Sequence, residues 1–208
     1  MAVFAERGFA EATVREVCRA AGANVAAVNY HFGSKEHLYL ACLREAVCHS
    51  KVEIDGLALS PPTTAEEAWA RIRGTIEGIA RSLIAERPEV YSKLMHREML
   101  EPSFALDVVH KEMVGPKFRV LREAVGFFLP GANDREITLH AMSIVGQLLY
   151  HRAARPMAVR LLGVEAYGPD LVVEIVEHVQ RFTARALGVG LAAERAASPT
   201  PPAAGGPA

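Results

Sequence analysis

Apolar residues recur three and four positions apart along most of the chain, and no stretch alternates with period two, so the pattern predicts an all-α fold. Near the start, Val14, Val17, Cys18 and Ala21 fall on one helical stripe with Arg15 and Arg19 outside it. Thr13 precedes Glu16 by three residues, the spacing of a capping box, so this helix is short and capped at its first turn. Gly22 supplies a left-handed stop, and Asn24 can cap a second helix running to about Phe32. Val28 and Phe32, one turn apart, are expected to face the core, leaving Ala26 and Tyr30 outward between Ala27 and Asn29. Two short helices joined by a three-residue glycine-containing turn predict a helix-turn-helix.

The remaining pattern is helical and longer in stride. A helix opening at Lys35 continues through Leu38, Tyr39, Cys42, Ala46 and Val47, making a physical link between the head and the larger remainder of the chain, with Pro61 and Pro62 marking its far break. Thr64 caps a helix with Trp69, Ile72, Ile76, Ile79 and Leu83 inward and Glu67, Arg71, Glu77 and Arg81 outward. Pro88 starts a shorter helix closed by Pro102. Ser103 caps the next, from Phe104 to about Phe128, with a kink expected at Gly115 and Pro116. The segment from Ile137 to Tyr150 contains no Asp, Glu, Lys or Arg, so it must be covered on every side. The last helix, Asp170 to about Leu187, places Leu171, Ile175, Val179, Phe182 and Ala186 on one stripe opposite Glu174, Glu177, His178, Arg181 and Arg185. One core can cover only one face of such a pair, so a homodimer is expected through helices 137–151 and 170–187, packed as a four-helix bundle.

The outward face of the second short helix carries no charged residue. Small alanines admit close backbone approach to a major groove, Tyr30 can donate to a phosphate, and Asn29 can read an adenine edge. Gly33 and Ser34 follow, and Lys35 and Glu36 then open the next helix, whose exposed amides and lysine would form a second phosphate clamp. The stretch FAERGFAEATVREVCRAAGANVAAVNYHFGSKEHLY resembles the DNA-binding domain of TetR-type transcriptional repressors, and YHFGSKE is among that family's most specific strings. The resemblance implies a homodimer with three amino-terminal helices on double-stranded DNA and a larger helical domain with a ligand pocket. It further implies base-facing positions at Asn24, Val25, Ala26 and Asn29 and phosphate contacts from Thr13, Tyr30, His31 and Lys35. Where many members carry a second tyrosine this chain has Asn29, so operator preference does not transfer. The first helix is shortened relative to the family, with two turns before Gly8.

HREMLEPSFALD and SIVGQLLYHRAARP resemble a narrower TetR subgroup, the CecR type, which implies a drug-responsive or xenobiotic-responsive regulator. The expected organisation is a DNA-binding domain at 1–46, a ligand-binding and dimerisation domain at 47–190, and a disordered tail at 191–208, where AAERAASPTPPAAGGPA has no bulky apolar residue. Walls of an effector pocket are expected from Trp69, Met95, Met99, Phe104, Met113, Phe118, Met142 and Tyr150, since methionines and aromatics adapt to varied apolar molecules, with Gln147 as a polar group. The same residues at helical spacing also read as plain core. His96, His140 and His151 could orient a ligand, but each reads first as a hydrogen-bonded structural residue.

With 208 residues, 50% of them apolar, the chain can bury a sizeable core. Its net charge of −1 excludes a non-specific nucleoid coat; affinity for DNA must come from arrangement and dimerisation. No apolar run is long enough to cross a bilayer and no signal peptide opens the chain, so the expectation is a cytoplasmic protein with no membrane partner. Cys18, Cys42 and Cys48 lack CxxC spacing and read as small apolar residues. Without a nucleophile elbow, phosphate loop, HExxH or paired carboxylates, the chain does not read as an enzyme and implies no cofactor or metal. The expected function is a dimeric repressor of a pseudo-palindromic operator, released by a small apolar effector. The alternative is a small-molecule-binding helical dimer that has lost DNA binding, motivated by the short first helix and the neutral head.

Overall fold

The computed structural model describes residues 1–48, 60–84 and 89–190, and every regular element among them is helical. The expected tail at 191–208, the segment 49–59 and Pro88 lie outside the described residues.

The first helix, α1 (Ala2–Glu11), is interrupted at Gly8, whose φ of 75° and ψ of 177° leave the helical path. Only glycine takes that conformation without strain, and the space beside it is filled. A Cβ at Gly8 would sit 2.9 Å from Arg97 Nε, and Arg97 Nη1 donates to the Glu6 carbonyl at 2.7 Å. A side chain far along the sequence therefore satisfies a carbonyl that the broken helix leaves open.

Helix α2 (Val14–Ala21) starts on the predicted capping box. Thr13 Oγ1 accepts from the Glu16 amide and donates to Glu16 Oε2, which also accepts from the Thr13 amide. Gly22 ends it at φ 62°, and Asn24 Oδ1 accepts from the Ala26 amide to start α3 (Val25–Phe32). The Thr13 hydroxyl and amide, then Arg7 at 2.6 Å, hold the Glu16 carboxyl below the usual range. A carboxyl depressed in the folded state contributes stability above the ordinary glutamate range and loses it as pH falls through the folded value. Thr13→Ala is thus expected to cost about 1 kcal/mol at neutral pH and to flatten the acid limb of the stability curve, read by urea titration at several pH values.

Helix α4 (Lys35–Cys48) runs from the head into the body. There follow α5 (Ala65–Leu83), α6 (Glu89–Leu100), α7 (Ala105–Val108), a π-helical turn (Val109–Val114), α8 (Gly115–Phe127), α9 (Asp134–Ala153), α10 (Arg155–Leu162) and α11 (Pro169–Leu187). The kink expected at Gly115 and Pro116 takes the form of that π turn. Pro116 cannot donate to the helical ladder, and a Cβ at Gly115 would lie 2.6 Å from the His110 carbonyl, so the wider turn needs glycine there.

Buried side chains form two clusters. One draws Phe4, Val17, Tyr39 and Leu43 of the first four helices together with Leu94 of α6, Ala105 of α7 and Val109 of the π turn. The other packs α5, α8, α9 and α11 through Ile72, Ile76, Leu121, Val125, Leu148 and Val179. The core of the head is thus completed by α6 and α7. The contiguous run of α7, π turn and α8 passes from one cluster to the other.

Four details depart from expectation. Arg71, expected on an outer face, is 1% exposed; its Nη2 meets Glu67 Oε1 at 2.6 Å and its Nη1 donates to the Ser60 carbonyl at 2.7 Å, because the long stem folds back over the start of α5. Phe32 and Ala21 are exposed rather than core-facing. Only Val28 of the two-turn α3 reaches the first cluster, since so short a helix at the edge offers one contact row. The buried stripe of α11 is Ile175, Val179, Thr183 and Leu187, which leaves Phe182 and Ala186 outside. Steps of four follow the ridge along which a crossing helix packs, whereas the mixed three-and-four pattern supposes a straight stripe. Helix α10 is absent from the sequence expectation, because Pro156 after a charged turn reads as an ending although proline is at home in a first helical turn.

Candidate nucleic-acid interface

Val25 and Asn29, like Ala26 and Tyr30, are one turn apart, so α3 gathers four of the predicted DNA-contacting residues on one side, and no residue of this helix is buried. Tyr30 is 86% exposed and packs edge-on against the His31 ring at 5.3 Å. Asn24 stands at the end of the same face, with its side-chain oxygen committed to the Ala26 amide. Thr13 is exposed at the start of α2, its hydroxyl engaged in the capping box.

Lys35 is placed differently from its neighbours. It is half-buried, its Nζ donates to the Ala10 carbonyl at 3.2 Å, and it lies 4.5 Å from the centre of the Phe9 ring. The ammonium closes the end of α1. The first turn of α4 is instead capped by Ser34 Oγ, which accepts from the His37 amide, while His37 Nδ1 lies 3.2 Å from the Phe32 carbonyl.

Sequence reasoning passes over Arg15 and Arg19. Both are exposed and one turn apart on the outer side of α2, the helix that in this arrangement crosses the phosphate backbone. Their position as the polar half of an amphipathic stripe is visible in the sequence, but it reads there as a solvated face.

The residues expected to wall an effector pocket are not drawn into one group. Trp69 and Phe118 pack against the second cluster, and Met95 against the first. Phe104 meets the Phe9 ring edge-on at 4.9 Å, and Met99, Met142 and Tyr150 are exposed. The side chains of Met113 and Cys48 lie outside the described part of the chain. Gln147 Nε2 donates to the Ser143 carbonyl within its own helix. His96 is exposed and His140 half-buried, while His151 Nδ1 lies 3.0 Å from the Tyr167 hydroxyl. Burial, with His178 nearby, holds the His151 imidazole below its ordinary range. Cys18 is buried and Cys42 half-buried, and burial pushes the Cys42 thiol up, as expected of small apolar residues.

Residues 1–42 match the family model described as bacterial regulatory proteins of the tetR family. Residues 68–187, more than half of the chain, match the carboxy-terminal domain of the HTH-type transcriptional dual regulator CecR. The chain belongs to the TetR family, CecR type. This TetR-type regulator is also 29% identical over 178 residues to the HTH-type transcriptional dual regulator CecR of Shigella flexneri, covering 82% of this chain and 79% of that protein. It is therefore a transcriptional regulator with an amino-terminal helix-turn-helix, and its family is not one of enzymes. Among the described residues, no helix is long and apolar enough to cross a membrane.

Proposed function

We propose that this regulator binds a pseudo-palindromic operator as a homodimer and leaves it when a small apolar molecule occupies the body formed by residues 47–190. The observation that carries the reading is the exposed, charge-free face of α3, where Val25, Ala26, Asn29 and Tyr30 stand clear of both cores. Bases are read by Asn29 and the small side chains. Tyr30, His31 and the Thr13 turn hold phosphates together with Arg15 and Arg19. Lys35 acts through α1 instead, fixing the angle at which α4 leaves the head. Pairing through α9 and α11 would set the two α3 helices roughly 34 to 36 Å apart, one turn of DNA. The Shigella flexneri relative is named a dual regulator. For this chain, repression follows where the operator overlaps a promoter.

The decisive experiment is fluorescence anisotropy of the full chain on labelled DNA from upstream of its own gene, across a salt series and against scrambled duplex. Specific binding that exceeds the scrambled control supports the reading; equal and weak binding to both overturns it. Tyr30→Ala is expected to weaken binding to operator and scrambled duplex alike, by about 0.5–1.5 kcal/mol, as loss of one phosphate hydrogen bond does, with the oligomeric state unchanged in sedimentation.

A further inference from the structure

The least accessible carboxylate among the described residues outside any ion pair is Glu98 of α6, which is 1% exposed within an apolar cluster. Its acceptor sites are occupied by neutral donors. Tyr39 Oη of α4 donates to Oε2 at 2.6 Å. The Ser103 amide and hydroxyl reach Oε1 at 2.9 and 3.0 Å, and the hydroxyl lies 3.0 Å from Oε2 as well. The neighbouring Arg97 turns to the Glu6 carbonyl and Glu101 instead. Burial, then the bond to Glu98, raises the Tyr39 phenol above its ordinary range, which keeps it a proton donor.

Such a group is costly to bury, and similar volume in leucine would pack without that cost. What a satisfied polar network adds is a single geometry. Three elements are fixed by this one. The Tyr39 ring packs on Phe4 at 5.0 Å and Phe9 at 5.2 Å of α1, so its position sets the head. Its hydroxyl sets α4 against α6. Ser103 Oγ also accepts from the Ala105 amide at 3.1 Å, so the same carboxylate sets the start of α7. From there the helix runs without a break through the π turn into α8 and the second core.

We propose that the Glu98 carboxylate, with Tyr39 and Ser103, is the lock through which rearrangement of the second core is transmitted to the angle of α4 and so to the spacing of the recognition helices. This inference rests on the DNA-binding reading above and assigns its regulation to three residues that act as positioning groups and do not touch DNA. The lock can shift a two-state equilibrium because its bonds are made in one orientation of α4 and lost in another.

The test uses the full chain and Tyr39→Phe, which keeps the ring and removes one hydroxyl. Ser103→Ala is a second variant, and Leu94→Ala a control that lowers stability in the same cluster without touching the network. Hydrogen exchange, read without DNA, is expected to speed at least about tenfold in α4 and α1 for Tyr39→Phe, with α9 and α11 unchanged. Anisotropy on operator duplexes with varied half-site spacing is expected to show one preferred spacing for the wild type and a flattened preference for the two lock variants. Unchanged exchange in Tyr39→Phe, or the same pattern from Leu94→Ala at matched stability loss, overturns the lock. A wild type that does not distinguish operator from scrambled DNA overturns the proposed operator binding alone, and the exchange pattern then decides the lock by itself.

Discussion

Replacing Met142 with aspartate is expected to yield a monomer that binds operator DNA at least about a hundredfold more weakly than the wild type. Helix α9 buries Ala141, Ile144 and Leu148 but leaves Leu139, Met142, Ser143, Gly146 and Tyr150 exposed, and Met142 is 56% accessible. Beside it α11 exposes Val173 and Phe182. No other described element of the same chain covers the exposed side of α9, and Val173 and Phe182 lie on opposite flanks of the exposed face of α11. In a homodimer built on this face, residue 142 would sit inside the contact, where an unpaired carboxylate costs several kcal/mol. A monomer presents one recognition helix at a time, so the gain from tethering two half-site contacts disappears. Sedimentation velocity and anisotropy on the same preparation check this. A dimeric Met142→Asp protein with normal DNA affinity would remove α9 from the interface.

The helix-turn-helix is legible almost residue by residue, because its determinants are local. Thr13 and Glu16 close a capping box, Gly22 adopts the left-handed turn and Asn24 caps α3, each within four residues of its partner. Long-range determinants are not legible. That Lys35 commits its charge to the Ala10 carbonyl depends on where α1 bends, which depends in turn on Arg97 reaching Gly8 from α6. Arg71 looks like a surface charge because periodicity cannot see the Ser60 carbonyl that draws it inward. The bond between Tyr39 and Glu98 joins residues 59 positions apart, and nothing in the local pattern of either helix marks it. The pocket residues scatter for a related reason. Apolar bulk identifies what packs, but the division of that bulk between two cores is set by the crossing of α6, α7 and α8.

Leu148→Ala is expected to give the largest loss of stability among substitutions on α9, about 2–5 kcal/mol, and a fall in melting temperature of roughly 5–15 °C for a chain of this size. Leu148 is fully buried in the second cluster, where α9 packs against α5 and α8. Truncation there removes apolar contact and leaves a cavity that rigid neighbours fill only in part. Met142→Ala on the opposite face of the same helix is the informative comparison. Its cost should shrink as protein concentration is lowered, because the side chain stabilises only the associated state, whereas the cost of Leu148→Ala should persist at every concentration. Urea unfolding of both variants over a range of protein concentrations separates the two faces. If Met142→Ala is as costly as Leu148→Ala and equally insensitive to concentration, the exposed side of α9 must be covered within one chain, and the second copy would have to pair elsewhere.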